Sequence, residues 1–341
     1  MTDDRDEFTL HGEKANANLA KESLPGFLAL MQQEMHLRSD DVRPSDSFWH
    51  YRPTKDFPPR SIRNPSDYDG SDRLNIACTQ TELKPVEQKK LVESWCEVLP
   101  SLDKVEYLWF SSRTPQELLE AACDMRSLKS LYIKWSGIKS IDSISKAKHL
   151  KYLHIGSSPS LGPLAPLDQL PNLEWLELEN IKACSDLSFT KRLKKLKGLS
   201  VAGDGNSLKY LQIQTLEPLT ALQDLYWLSL RTTTVEQDGL LPLARLKNLK
   251  YLFISNKHRF EDVAALAGAR PDIECELFEP VSGIYDFLAC KKCSQHTMVL
   301  PTGKGKPWMC QTCDKEKIEK HVTQFNKIVN EFSTSNQKLH K

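Results

Sequence analysis

Between residues 105 and 254 the apolar side chains fall into one six-residue frame, L-x-x-L-x-L, which returns seven times. The frames are "VEYLWF" from Val105, "LKSLYI" from Leu128, "LKYLHI" from Leu150, "LEWLEL" from Leu173, "LKGLSV" from Leu196, "LYWLSL" from Leu225 and "LKYLFI" from Leu249; their starts lie 23, 22, 23, 23, 29 and 24 residues apart. Alternation within each frame predicts a short strand whose fourth and sixth positions face a core, with the third, fifth and seventh on the opposite side. A further "LKYLQI" at Leu208 begins only 12 residues after the frame at Leu196, too short for a full turn of a repeat, and is read as part of the 29-residue interval. The segments between frames carry helix signals. In "TPQELLEAAC", Thr114 is the expected N-cap, Pro115 the first helical residue and Glu117 the closing member of a capping box.

Seven frames in register resemble the leucine-rich repeat family, whose repeats of about 20 to 29 residues each place one strand along a horseshoe. The resemblance covers roughly residues 100 to 280. It implies an α/β solenoid: a curved parallel sheet on the concave side, with helices or 3-10 turns on the convex side. "RLNIAC" at Arg73, followed by the helix-like "KPVEQKKLVESWCEVL", reads as an N-terminal capping unit. The family's asparagine ladder is largely missing, because its column reads Arg113, Ser136, Ser158, Ile181, Asp204, Thr233 and Lys257. The expected organisation is an irregular N-terminal arm over 1–70, the capping unit over 71–104, repeats over 105–280 and a separate module over 281–341.

Reading the outward columns of the predicted strands collects Tyr107, Trp109, Tyr132, Tyr152, His154, Trp175, Glu177, Trp227, Arg231, Tyr251 and Phe253 on one face, with Lys134 and Glu179 beside them. Gly198, Ser200 and Ala202 leave a gap of small residues mid-stripe. Strands accept aromatics for packing alone, yet an apolar patch this rich is seldom exposed without a use, and Trp and Tyr are enriched among interface hot spots. With few charges, of both signs, the stripe suits a protein partner better than a phosphate backbone.

The second constellation is "CKKCSQHTMVLPTGKGKPWMCQTC", in which Cys290, Cys293, Cys310 and Cys313 form two C-x-x-C pairs sixteen residues apart. That spacing is one by which four thiolates bind zinc. The glycines at 303 and 305 suggest a hairpin between the pairs, and Ile318, Val322, Phe325, Val329 and Phe332 recur with helical spacing beyond them. Knuckle, hairpin and helix resemble a treble-clef finger, with a zinc ribbon close behind. Four cysteines complete the shell, so His296 and His321 are expected at the surface. Lys291, Lys292, Lys304, Lys306, Lys315, Lys317 and Lys320 make the module locally basic, but Asp314, Glu316 and Glu319 dilute that charge.

Composition narrows the function. Forty-six basic and 45 acidic residues nearly cancel over 341 positions, so no chain-wide field draws in nucleic acid or an anionic membrane. The start "MTDDRDEFTL" lacks a secretory signal's pattern, no apolar run nears a membrane span, and nine cysteines arranged as a metal set plus five scattered thiols suit a reducing compartment; the expectation is a cytosolic protein. In the N-terminal arm, "LPGFLALMQQEMHL" suits a short amphipathic helix and "DYDGSD" a turn, while Phe48, Trp49 and Tyr51 are candidates for docking on the solenoid. No G-x-S-x-G, P-loop or H-E-x-x-H motif occurs. The leading expectation is a non-catalytic protein that binds a protein partner on its concave face, sequestering or inhibiting it as an immunity or antitoxin protein does. The alternative is a nucleic-acid-associated adaptor using the zinc module; a ubiquitin-ligase role is disfavoured because a RING finger needs eight ligands.

Overall fold

The computed structural model describes residues 58–339 apart from 206 and 208, together with two short strands, Thr9–Leu10 and Glu13–Lys14, that pair with each other. The amphipathic stretch at 24–37 and the aromatic cluster Phe48, Trp49 and Tyr51 lie outside the described residues.

Seven frames and the capping strand build one parallel sheet. In chain order its strands are β1 (Arg73–Ile76), β2 (Tyr107–Phe110), β3 (Ser130–Trp135), β4 (Tyr152–Ser157), β5 (Trp175–Glu179), β6 (Gly198–Ala202), β8 (Trp227–Leu230) and β10 (Tyr251–Ile254). Within the sheet each inner strand lies between the strands of the repeats before and after it, as a solenoid requires. The 29-residue repeat carries an extra strand, β7 (Leu211–Ile213), which pairs with β9 (Thr233–Val235) in a separate two-stranded ladder. "LKYLQI" is therefore an embellishment of its repeat and not a rung of the main sheet.

Register explains the conserved spacing of the leucines within this chain. Position four forms a continuous inward row, Leu74, Leu108, Leu131, Leu153, Leu176, Leu199, Leu228 and Leu252, all with at most 2 % of their surface exposed. Position six supplies a second row of Ile76, Phe110, Ile133, Ile155, Leu178, Val201 and Leu230. The convex side is mostly 3-10, and its period of three fixes another regularity. Leu164, Leu167, Leu170 and Leu173 are spaced by three, as are Leu216 to Leu225 and Leu240 to Leu249, and successive members are joined by backbone N–H to carbonyl bonds of 2.9 to 3.3 Å. Side chains three apart eclipse in a 3-10 turn, so each run presents one buried leucine edge to the core.

The first return helix begins later than the capping signals suggest. Helix α2 spans Gln116–Cys123 and Pro115 is its N-cap, with no capping hydrogen bond from a side chain. Thr114 is withheld because its backbone is engaged with the next repeat: its N–H donates to Trp135 O at 3.0 Å and its carbonyl accepts from Gly137 N at 3.0 Å. In the absent asparagine column small hydroxyls take over part of the ladder. Ser136 and Ser158 share a 2.5 Å hydroxyl contact, and Thr233 donates to Leu230 O at 2.7 Å.

Both ends of the solenoid are closed. At the amino end α1 (Pro85–Val98) buries Trp95, whose indole N–H donates to Arg63 O at 2.8 Å. "DYDGSD" is a turn, held by Ser71 N donating to Asp69 Oδ1 at 3.0 Å. At the carboxyl end α3 (Phe260–Ala269) receives the last helix, α4 (Lys315–Leu339). The approach is close: a Cβ on Gly268 would sit 2.3 Å from Val329 O, so only glycine permits this crossing. Phe325 of α4 is 1 % exposed and belongs to the same apolar cluster as Val263 and Leu266.

Candidate functional site

Two columns of side chains run across the concave face. Position three reads Arg73, Tyr107, Ser130, Tyr152, Trp175, Gly198, Trp227 and Tyr251; position five reads Asn75, Trp109, Tyr132, His154, Glu177, Ser200, Ser229 and Phe253. Ten of the eleven residues expected on this face thus fall in two adjacent rows. Arg231 follows β8 and lies with its guanidinium 5.3 Å above the Phe253 ring.

The rings form a chain of contacts. Tyr132 stacks on His154 at 4.4 Å, Trp175 lies 5.0 Å from Trp227, and Trp227 lies 5.6 Å from Phe253. Tyr226, placed by its frame just before β8, extends the chain through edge contacts with Trp175 and Tyr251 and is 38 % exposed. It was missed by the alternation, which assigns position two no face. The small-residue gap is filled from the side: a Cβ on Gly198 would lie 2.3 Å from the Trp175 ring, so the indole folds into the space that glycine leaves. Gly198→Val is expected to expel that ring and cost about 1 to 3 kcal/mol, read by thermal unfolding together with loss of the near-ultraviolet tryptophan signal.

At the centre sits a buried carboxylate. Glu177 is 3 % exposed; its Oε1 accepts from Trp175 Nε1 at 2.8 Å and its Oε2 lies 3.0 Å from His154 Nδ1. Burial, aided by Glu177 and Glu179, pushes the neighbouring Tyr132 hydroxyl well above the usual phenol range. The face therefore has two grades of ring. Trp109, Trp175 and Trp227 form a second apolar cluster apart from the leucine core, while Tyr107, Tyr152, Tyr251 and Phe253 are only partly buried around it.

The four cysteines of the C-terminal segment converge. Their Sγ atoms all lie within 4.8 Å of one another, with Cys290 to Cys313 at 3.9 Å and Cys293 to Cys310 at 3.7 Å. Zinc–sulfur bonds of about 2.3 Å in a tetrahedron require sulfur–sulfur edges of about 3.8 Å, so the set fits that ion. Each knuckle also aims backbone N–H groups at sulfur: Lys292 N at Cys290 Sγ, 3.4 Å, and Cys313 N at Cys310 Sγ, 3.5 Å. The Thr297 hydroxyl, 3.4 Å away, leads the interactions that hold the Cys310 thiol down at about 6, whereas Cys313, facing Cys293, is pushed up to about 12. Strands β11 (Met298–Val299) and β12 (Met309–Cys310) form the hairpin, and α4 starts two residues after Cys313. The other thiols differ. Burial pushes Cys78, Cys123 and Cys275 up to about 12, which leaves them inert packing residues.

His296 is exposed as expected, but His321 is not. It is 4 % exposed, sits 5.4 Å from the Phe260 ring, and its Nε2 lies 3.0 Å from Pro280 O. The helical pattern placed the residue outside the apolar stripe, yet α4 has neighbours on two sides because the whole module docks on the solenoid. Asn256 clamps the hairpin, donating to Pro301 O at 3.1 Å and accepting from Gly303 N at 2.6 Å.

No protein-family model matches the chain, and no curated protein does. Among solved structures the chain is similar to an internalin of Listeria monocytogenes (TM-score 0.42, 16 % identity, 60 % of this chain and 59 % of that one). It is also similar to internalin C2 of the same organism (0.38, 19 %, 53 % and 73 %) and to a leucine-rich repeat protein of Leptospira interrogans (0.38, 14 %, 64 % and 58 %). The seven frames and the parallel sheet that they build make the fold a leucine-rich repeat solenoid. This chain matches about three-fifths of the first internalin's length. Among the described residues no helix is long and apolar enough to cross a membrane.

Proposed function

We propose that this chain is a non-catalytic interaction protein that grips a protein partner on the concave aromatic face, sequestering or inhibiting it, while a structural zinc ion at Cys290, Cys293, Cys310 and Cys313 holds the C-terminal cap. The division into arm, capping unit, repeats and zinc module, at the boundaries given above, is part of this proposal, as is a cytosolic setting. The observation that carries it is the double row of rings around Glu177: large, rigid, mixed apolar and polar side chains are the residues that anchor protein interfaces. Four thiolates would leave zinc no open position, so the ion would supply rigidity and not chemistry. The test is affinity purification from the native cell followed by mass spectrometry, with nuclease-treated and untreated lysates compared. A protein retained in both, and lost with Tyr152→Ala, supports the reading; recovery of nucleic acid as the only specific ligand overturns it.

The nucleic-acid adaptor is the weaker reading because its cations are largely spoken for. Lys292 and Lys317 approach Asp314 at 3.5 and 3.4 Å, Lys315 approaches Glu319 at 3.9 Å, and Lys306 lies 4.5 Å over the Phe260 ring. Each phosphate neutralised releases counterions, so genuine binding would weaken steeply with salt. Little or no binding to nucleic acid at physiological salt is expected. A nanomolar, salt-sensitive complex abolished by alanine at Lys291, Lys292, Lys304 and Lys306 would reverse the preference.

A further inference from the structure

The zinc module meets the solenoid along a buried seam, and two histidines stand in that seam. On the solenoid side lie the loop from β10 to α3 and the start of α3; on the other lie residues 301–306 of the hairpin and the turn of α4 at His321. Besides the Asn256 clamp, Lys304 N donates to His258 O at 2.7 Å, and Thr302, 1 % exposed, donates through Oγ1 to Glu279 O at 2.6 Å. The two sides are in close contact: a Cβ on Gly303 would sit 2.6 Å from Phe260 Cβ. His258 and His321 are buried here, and each has one ring nitrogen without a hydrogen-bond partner, Nε2 of His258 and Nδ1 of His321. His321 uses its other nitrogen to donate to Pro280 O. Protonation turns both nitrogens of an imidazole into donors. At these two atoms the N–H of a charged ring would face protein that offers no acceptor, which strongly disfavours the charged form.

The charges around the seam offer such a ring no relief. Lys306, over the Phe260 ring, acts against a proton on His321, and Lys304 is exposed. On the solenoid side Arg259 pairs with Glu261 at 3.6 Å, Asp262 lies against the turn at Gly239, and Lys257 and Glu279 are exposed. On α4 itself Lys317 turns to Asp314, while Glu316, Glu319 and Lys320 stand in solvent. Among the described residues neither imidazole is paired with a carboxylate. Burial accordingly holds the His258 ring down at about 4, and burial with the Lys306 charge lowers His321 against the pull of the Pro280 carbonyl. Rings held below the ordinary histidine value of 6.5 favour the docked state when neutral. That contribution is complete above about pH 6.5 and is lost as pH falls toward about 4.

We infer that neutral His258 and His321 latch the C-terminal module onto the solenoid, and that protonating them opens the seam under acid conditions before the cysteine cluster gives up its metal. Opening would lift α4 from α3. It would also reach the concave face, because β10, which carries Tyr251 and Phe253, runs directly into the loop that holds Asn256 and His258. The latch is a property of the joint and stands whether or not the concave face binds a partner.

The test is hydrogen exchange of the full chain in steps from about pH 7.5 to about pH 4.5, corrected for the intrinsic pH dependence of exchange, with bound zinc measured in the same samples. In the parent, α3 and α4 are expected to lose protection by about tenfold or more below about pH 6.5 while zinc is still bound and strands β1 to β6 stay protected. The full chain carrying His258→Gln and His321→Gln is expected to open only as zinc leaves. The same opening pH in parent and variant overturns the inference, and so does a parent that opens only as zinc leaves. Should the variant already be open at neutral pH, the parent decides by histidine NMR: the two buried rings should titrate together with the opening, and at lower pH than the exposed His149 and His296. Rings that titrate like those two, or that take up protons while the seam stays closed, overturn it.

Discussion

Stripping the metal from the purified protein is expected to release zinc at one ion per chain and to unfasten the whole carboxyl end of the solenoid. Apparent zinc-binding free energies of small four-ligand sites are on the order of 10 kcal/mol and are coupled to folding, more than the two-residue strands of this hairpin supply by themselves. The damage should not stop at the cysteines. Helix α4 covers α3, with Phe325 in the main core and Ser333 Oγ donating to Gly268 O at 3.1 Å. Losing that cover would expose Val263 and Leu266, so hydrogen exchange should accelerate across residues 281–341 and α3 while strands β1 to β6 keep their protection. Cys290→Ser or Cys310→Ser should reproduce the effect. Protons compete with the metal for thiolates, so affinity falls as pH falls and acidification should release the ion. Protein purified without stoichiometric metal, or a chelated form with unchanged exchange, would remove the zinc from the proposal.

The repeat was legible because its residues obey one rule. Leucine at position four is buried in every turn, so spacing alone locates each strand. The convex side was legible only in outline, since its leucines follow a period of three, and a search for helical or strand periods passes over that. A run such as Leu164, Leu167, Leu170 and Leu173 would have revealed it. Thr114 shows a different limit: its local capping signal lost to backbone bonds with the next repeat, which no local window contains.

The site was half legible. Alternation names the residues of the face but cannot rank them, because burial on a concave surface depends on what lies above and beside each ring. Trp175 and Tyr152 stand in neighbouring strands of the same column, yet the indole is enclosed and hydrogen-bonded to Glu177 while the phenol is only partly covered. Gly198 between two tryptophans was the one hint of ring packing available beforehand. The sequence pattern alone suggests that truncating Trp175 or Trp227 spares stability. Their burial revises this: either truncation should cost about 3 to 5 kcal/mol, comparable to a core residue, and Trp175→Ala would also leave Glu177 one donor short.

The clean comparison is therefore between the leucines and the tyrosines of the twin "LKYL" frames. Leu153 and Leu252 are at most 1 % exposed, whereas Tyr152 and Tyr251 beside them are partly open. Leu153→Ala or Leu252→Ala should cost about 2 to 5 kcal/mol of stability by leaving cavities. The tyrosine truncations should cost much less stability and, where the ring is a hot spot, weaken partner binding by about 2 kcal/mol or more, roughly thirtyfold in Kd. The most direct test of the concave face as the partner site is the affinity of Tyr152→Ala and Tyr251→Ala for the captured partner, measured beside their thermal unfolding. A large loss of affinity with a near-parental Tm is the predicted result; parental affinity in both variants would contradict it.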